Sequence, residues 1–344
     1  MLLESDNGGV SIQRLIADRV CYRRVGEGKI PVLTRDLDFI EDGFSIVQVM
    51  SRFVSGETLT CELSDGRLAI SNLGKVVCSF LEYDYCGLRK ALDGSRGHPY
   101  LSVMEKIIDA YRKQDVVGWS FGIDAEGLKE LEDCVRLEIK CGGGADALRV
   151  AARSMVRGIR KNYASLDAFI SGLASKEHGL NAVSVDLRYV HDVFYESGEG
   201  HSVELVKRDL DALLKIVDRE FSDSISGYFW RLEFGLGNKF YARVVFFIDG
   251  AAVSGFFDFV KGKASSDVLR ISKDCFLNVY EFVDGEDSPD ICIESSPEYW
   301  EKVKGNAALL LAADELIRVD YSNRRVYGRS GLAVKCRSKS FRVF

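Results

Sequence analysis

The sequence predicts an α+β protein: an antiparallel, ferredoxin/RRM-like sheet with helices on one face, plus a separate mixed α/β N-terminal domain. Three observations carry this. Residues 181–190, 226–234 and 239–248 read as strands, with apolar side chains alternating against polar ones over much of their length. Between the first two, Leu205, Val206, Leu210, Leu213, Leu214 and Val217 recur at helical spacing behind Ser202, a good N-cap. The second and third strands are joined by Gly235-Leu236-Gly237-Asn238, a hairpin-length connection.

Taken from the start, Thr58–Ser64 and Arg67–Ser71 flank Asp65-Gly66, a two-residue hairpin signal. Lys75–Phe80 reads as a third strand. Pro99 opens a helix with Leu101, Met104, Ile107, Ile108 and Tyr111 on one face. Gly142-Gly143-Gly144 precedes a helical pattern over Ala145–Tyr163; no GK[ST] follows, so the run is a hinge and not a P-loop. On that helix Arg149, Arg153, Arg157 and Lys161 recur every fourth residue. Such a stripe is either a solvated face or a nucleic-acid contact. Asp249-Gly250 closes the later hairpin, and Asn306–Val319 reads as a last helix. The boundary is expected near 174, dividing residues 1–174, of unknown role, from residues 175–344.

The 344 residues are 47% hydrophobic and 28% charged, the mix of a globular protein that buries a core without staples. No apolar run has the ~20 residues of a membrane span, and MLLESDNGGV lacks the basic and apolar regions of a signal peptide, so the expected location is the cytoplasm, away from membranes. Nine cysteines occur without a CxxC, which points to reduced thiols and not to a zinc site. With four histidines, of which His191 and His201 are expected on a loop, no metal or cofactor is predicted. Arg324, Arg325, Arg329, Lys335, Arg337, Lys339 and Arg342 form a basic tail with no acidic residue, leaving residues 1–323 at −13 out of a whole-chain −6. The tail is either a phosphate-contacting arm, or a solvated terminus or partner of the acidic body.

The segments VSVDLRYV, SVELVKRDLDALLKIVDREF and SGYFWRLEFGLGNKFYARVVFFIDG, with the closing AADELIRVDYS and KCRSKSFRVF, resemble the YagK/YfjJ-type family of prophage and filamentous-phage replication proteins. That family is similar to rolling-circle initiators, endonucleases with a His-hydrophobe-His motif. The resemblance spans roughly residues 175–344 and implies single-stranded DNA nicking through a phosphotyrosyl intermediate, with a divalent metal on two histidines and an acidic partner. The positions it gives to the two histidines carry Tyr241 and Arg243; its acidic partner matches Glu233; its nucleophilic tyrosine falls at about Glu315. The resemblance therefore implies an initiator scaffold without its catalytic set, not an enzyme.

Strand alternation places Val183, Val185, Leu187 and Tyr189 on one face and Ser184, Asp186 and Arg188 on the other, the latter with Arg231, Glu233, Tyr241 and Arg243. A half-solvated sheet accounts for this polar face as readily as a binding site does. Read functionally, Arg188, Arg231, Arg243 and Tyr241, the α-helical stripe and the tail are candidate contacts to single-stranded or hairpin DNA. The alternatives are a protein-interaction or regulatory role in phage–host conflict on the same face, and a divergent nuclease with a displaced tyrosine. Arg243, in a ligand position, is expected to pair with Glu233 or Asp186.

Overall fold

The computed structural model of the chain describes residues 21–25, 28–32, 36–82, 85, 95–114, 123–176, 179–191, 202–235, 239–262, 271–272, 275–283, 296–312, 317–319 and 327–330. In order they form β1 (Cys21–Val25), β2 (Gly28–Val32), α1 (Asp36–Val54), β3 (Thr60–Glu62), β4 (Leu68–Ile70), α2 (Asn72–Leu81), β5 (Ser95–Gly97), α3 (Leu101–Gln114), α4 (Ala125–Cys141) and α5 (Gly144–Lys176). There follow β6 (Leu180–His191), α6 (Val203–Phe221), β7 (Ile225–Gly235), β8 (Lys239–Asp249), α7 (Val253–Gly262), β9 (Cys275–Glu281), α8 (Pro297–Ala312), β10 (Ile317–Val319) and β11 (Tyr327–Arg329).

The α+β class is observed. From β6 to β9 the order is βαββαβ, and the strands lie as β7-β8-β6-β9 with every pair antiparallel, the ferredoxin-like arrangement. Strand β11 extends the β7 edge, and the β1–β2 hairpin joins the far end of β6 in parallel through Tyr22↔Val190 and Arg23↔His191. His191, expected on a loop, thus ends a strand. Helix α6 starts where Ser202 Oγ accepts the Leu205 N–H at 3.2 Å, and lays Val206, Leu210, Leu213 and Val217 into the apolar cluster of Val183, Val185, Val244 and Phe246. Helix α7 completes that layer, with Phe256 at 5.3 Å from the Phe246 ring and 5.2 Å from Phe221.

The helices cover both faces of the sheet and not one. Residues Val244–Ile248 of β8 are apolar without alternation, which is the pattern of a strand buried on two sides. Against the second face, Leu166, Phe169, Ile170 and Leu173 of α5 and Tyr299, Trp300 and Val303 of α8 pack on Ala182, Phe229, Val245 and Phe247. Trp300 stacks on Phe247 at 6.0 Å, and the Tyr299 hydroxyl accepts the Ala182 N–H at 2.7 Å.

Three elements differ from their expected form. Residues 75–80 are helix, not strand: Ser71 Oγ accepts the Gly74 N–H at 2.9 Å, and Leu73, Val77 and Leu81 are buried at helical spacing while Val76 is exposed. Gly74 is required because a side chain there would run into the Leu59 carbonyl. The last helix begins at Pro297, a residue suited to a first helical turn, and ends at Ala312; Ile317–Val319 is a strand paired with β5. The first half is more helical than its irregular sequence implies. Helix α1, with Ile46, Met50, Phe53 and Val54 buried, and helix α4, with Leu128, Leu131 and Val135 buried, complete it. Residues from both sides of position 174 share one apolar cluster and two sheets.

Candidate functional site

Ladder register brings the sheet candidates together. Asp186 on β6 faces Arg243 on β8, Arg243 faces Arg231 on β7, and Glu233 faces Tyr241. Being two residues apart along their strands, all share one face. Arg243 donates to Asp186 from Nε at 2.7 Å and from Nη2 at 3.0 Å, a two-pronged pair. Arg188 donates to Asp186 Oδ2 from Nη2 at 2.8 Å, and the Tyr280 hydroxyl to Oδ1 at 3.2 Å. The Tyr241 hydroxyl donates to Glu233 Oε2 at 2.6 Å, and Arg243 Nη1 lies 4.0 Å from Glu233 Oε1. Burial alone would raise the Asp186 carboxyl, but Arg243 and Arg188 outweigh it and hold its pKa below the usual carboxylate range.

The expected Arg243 pair is therefore present, with Asp186 as its principal partner. The expectation of a solvent-facing cationic sheet needs correction. Asp186 is fully buried, and Arg188, Arg231, Glu233, Tyr241 and Arg243 are each 7% exposed or less. The guanidiniums of Arg188 and Arg243 are turned to internal carboxylates, and Arg188 also lies over the Tyr241 ring at 4.6 Å, so this ring is covered and not offered to a base. Nor do these residues fit a divalent cation. The Tyr241 phenol and the Arg243 guanidinium stand beside the two carboxylates, and a fixed positive charge there repels a metal. Among the described residues no group of three or more His, Cys, Asp or Glu side chains is placed to hold one.

The α-helical stripe has a different outcome. Helix α5 starts beyond a tight turn, with Gly143 and Gly144 at φ of 101° and 82°, the left-handed region glycine tolerates. It buries Ala152, Ile159, Leu166 and Ile170 and presents Arg149, Arg153 and Arg157 to a groove of about 840 Å³. Arg160 joins them and Lys161 does not. At about 100° per residue a four-residue stripe drifts about 40° each step, which carries Lys161 about 120° from Arg149 and leaves Arg160 within about 20°. Across the groove stand Arg52 and Gln48 of α1, with His98 and Tyr100 ahead of α3. Arg149 is committed to Asp146 at 2.8 Å and to the Val54 carbonyl at 2.7 Å, and Arg52 pairs with Glu57. Arg153, Arg157 and Arg160 are exposed and, among the described residues, make no side-chain ion pair or hydrogen bond.

His98, Tyr100, Arg160 and Arg52 were not singled out from the sequence. Arg160 was findable by turning the stripe at 3.6 residues per turn; the others approach only through tertiary packing. His98 Nδ1 accepts the Tyr100 N–H at 3.1 Å, and the two rings lie 4.8 Å apart at 60°. Burial pushes the His98 pKa down from 6.5 to about 4, so the imidazole is neutral at pH 7. Between those values the unfolded chain binds the extra proton. The stability tied to a neutral His98 is thus full above pH 6.5 and lost as pH falls toward 4, at most about 3.5 kcal/mol at ~1.4 kcal/mol per unit. Denaturation midpoints at pH 7 and 4.5 should converge more for His98→Gln than for the parent chain; parallel profiles would contradict this.

Of the tail, only Arg329 lies within the described residues. It donates to Ser165 Oγ at 3.2 Å and sits over Phe169, which ties β11 to α5. Arg324, Arg325, Lys335, Arg337, Lys339 and Arg342, like Glu315, lie outside them. Cys61, Cys78, Cys134, Cys141 and Cys275 form no disulfide among the described residues. Among the described residues no helix is long and apolar enough to cross a membrane. Comparison of the chain with family models, curated proteins and solved structures gives no match.

Proposed function

We propose that the chain is a non-nicking single-stranded DNA-binding protein on the scaffold of a phage or mobile-element replication initiator, with its strand contact on α5 and not on the sheet. The observation that carries this reading is the row Arg153, Arg157 and Arg160, three guanidiniums along one groove that are unpaired among the described residues. Residues four apart on a helix are about 6 Å apart along its axis, a repeat suited to successive phosphates of an extended strand. The ferredoxin-like order of β6 to β9 supports the initiator-like scaffold. The Asp186–Arg243 pair supports the loss of nicking, because a buried carboxylate already held by a guanidinium is a poor ligand for the metal that nicking needs. The acidic balance of residues 1–323 favours a second reading, a regulatory protein that docks a protein partner.

The test is a labelled oligonucleotide titrated with the full chain at 50–200 mM salt, with Mg²⁺ and Mn²⁺ added in parallel. Three phosphate contacts on a single strand give a log–log salt slope of about −2 or steeper. No covalent adduct should survive a denaturing gel. A protein–DNA adduct would restore the nuclease, and absence of binding at low salt would leave the protein-partner reading.

A further inference from the structure

Resting on that reading, we infer that the α1–α5 groove is a nucleotide pocket: it takes one unpaired nucleobase against His98 and Tyr100 while the attached phosphates lie on Arg153, Arg157 and Arg160. Its volume, about 840 Å³, falls within the roughly 300–1,000 Å³ of small-ligand sites and far exceeds what a bare phosphate fills. The two walls differ in chemistry. The α5 wall is cationic, and among the described residues no carboxylate lines the groove to oppose an anion. Asp146 and Glu57, the nearest acids in sequence, are engaged by Arg149 and Arg52. The opposite wall carries Arg52 and Gln48 together with the aromatic rings of His98 and Tyr100, and a simple polyanion has no use for those rings.

His98 defines that wall. Its Nδ1 is occupied as an acceptor by the Tyr100 N–H, so in the neutral ring the proton sits on Nε2. Among the described residues Nε2 has no hydrogen-bond partner, and the residue lines the groove. A neutral N–H donor suits a carbonyl or ring nitrogen of a base; a protonated imidazole would add only another charge for phosphate. Tyr100, half-buried with its ring tilted on His98, supplies a π-face, and Val47, Ala152 and Val156 supply apolar contact. Base-on-aromatic stacking with cationic backbone contacts is how sequence-tolerant single-strand binders work. The same chemistry serves a free mononucleotide or a nucleotide within a strand.

The test compares, with the full chain, a fluorescent thymidine decamer, an abasic phosphodeoxyribose decamer of equal length, and inorganic polyphosphate. The thymidine decamer should bind about tenfold more tightly than the abasic one, and Tyr100→Ala should erase that difference while abasic binding is unchanged. Tyr100→Trp should retain it. Arg153→Glu should weaken all three probes. Competition by dTMP would identify the ligand as a free mononucleotide, and competition by oligomers alone as a strand; both keep the pocket. Equal binding of thymidine and abasic decamers by the parent chain, a comparison that needs no variant to fold, would overturn the pocket. If that equal binding is still lost in Arg153→Glu, the strand contact stands without the base site. If no probe binds, both fall.

Discussion

Replacing Arg243 with methionine is expected to cost the folded chain about 3–5 kcal/mol, the penalty for stranding part of a buried ion pair. Asp186 is fully buried and takes two of its hydrogen bonds from Arg243. Methionine fills similar space but donates nothing, and the nearby Glu233 loses a neighbouring cation as well. Arg188 and Tyr280 still reach Asp186, which keeps the loss from growing further. Arg243→Lys should fall between, since a single ammonium cannot reproduce a planar two-pronged pair. Combining Arg243→Met with Asp186→Asn should recover little of the loss, because the buried Arg188 guanidinium then exchanges the Asp186 carboxylate for a neutral amide oxygen. Urea denaturation of the three variants measures this. A loss below about 1 kcal/mol for Arg243→Met would place the pair among weak surface bridges, at odds with its burial.

The sheet was legible because its code is local. Period-two alternation in β6 and β7, a capping serine before α6 and a glycine-rich hairpin turn each act within a few residues, and the resulting register sets Arg243 opposite Asp186. Burial of that face was not legible. Arg188, Arg231 and Arg243 read as a solvated surface, because only the tertiary partners show where their charges are spent. The one local hint, the unbroken apolar run Val244–Ile248, marked a strand covered on both sides. Residues 75–80 misled for a related reason: Val76, Val77 and Phe80 have strand propensity, but the Ser71 cap and the burial of Leu73, Val77 and Leu81 decide for helix. The groove illustrates the remaining gap. Arginines on one helix are visible in sequence, whereas His98 and Tyr100 reach the same groove from a separate segment.

The most direct measurement is single-strand binding by the Arg153→Glu/Arg157→Glu chain, followed by fluorescence anisotropy beside the parent chain. Both side chains are exposed and make no internal ion pair among the described residues, so the fold should tolerate the change. Each charge-assisted phosphate contact is worth about 1.5–3 kcal/mol, so two lost contacts correspond to binding about 100-fold weaker or more at low salt. The salt slope should also become shallower by about 1.4, the share of two phosphates on a single strand. That paired result is what a strand contact on α5 predicts. Unchanged affinity with an unchanged slope would contradict it and move the phosphate contacts off this helix.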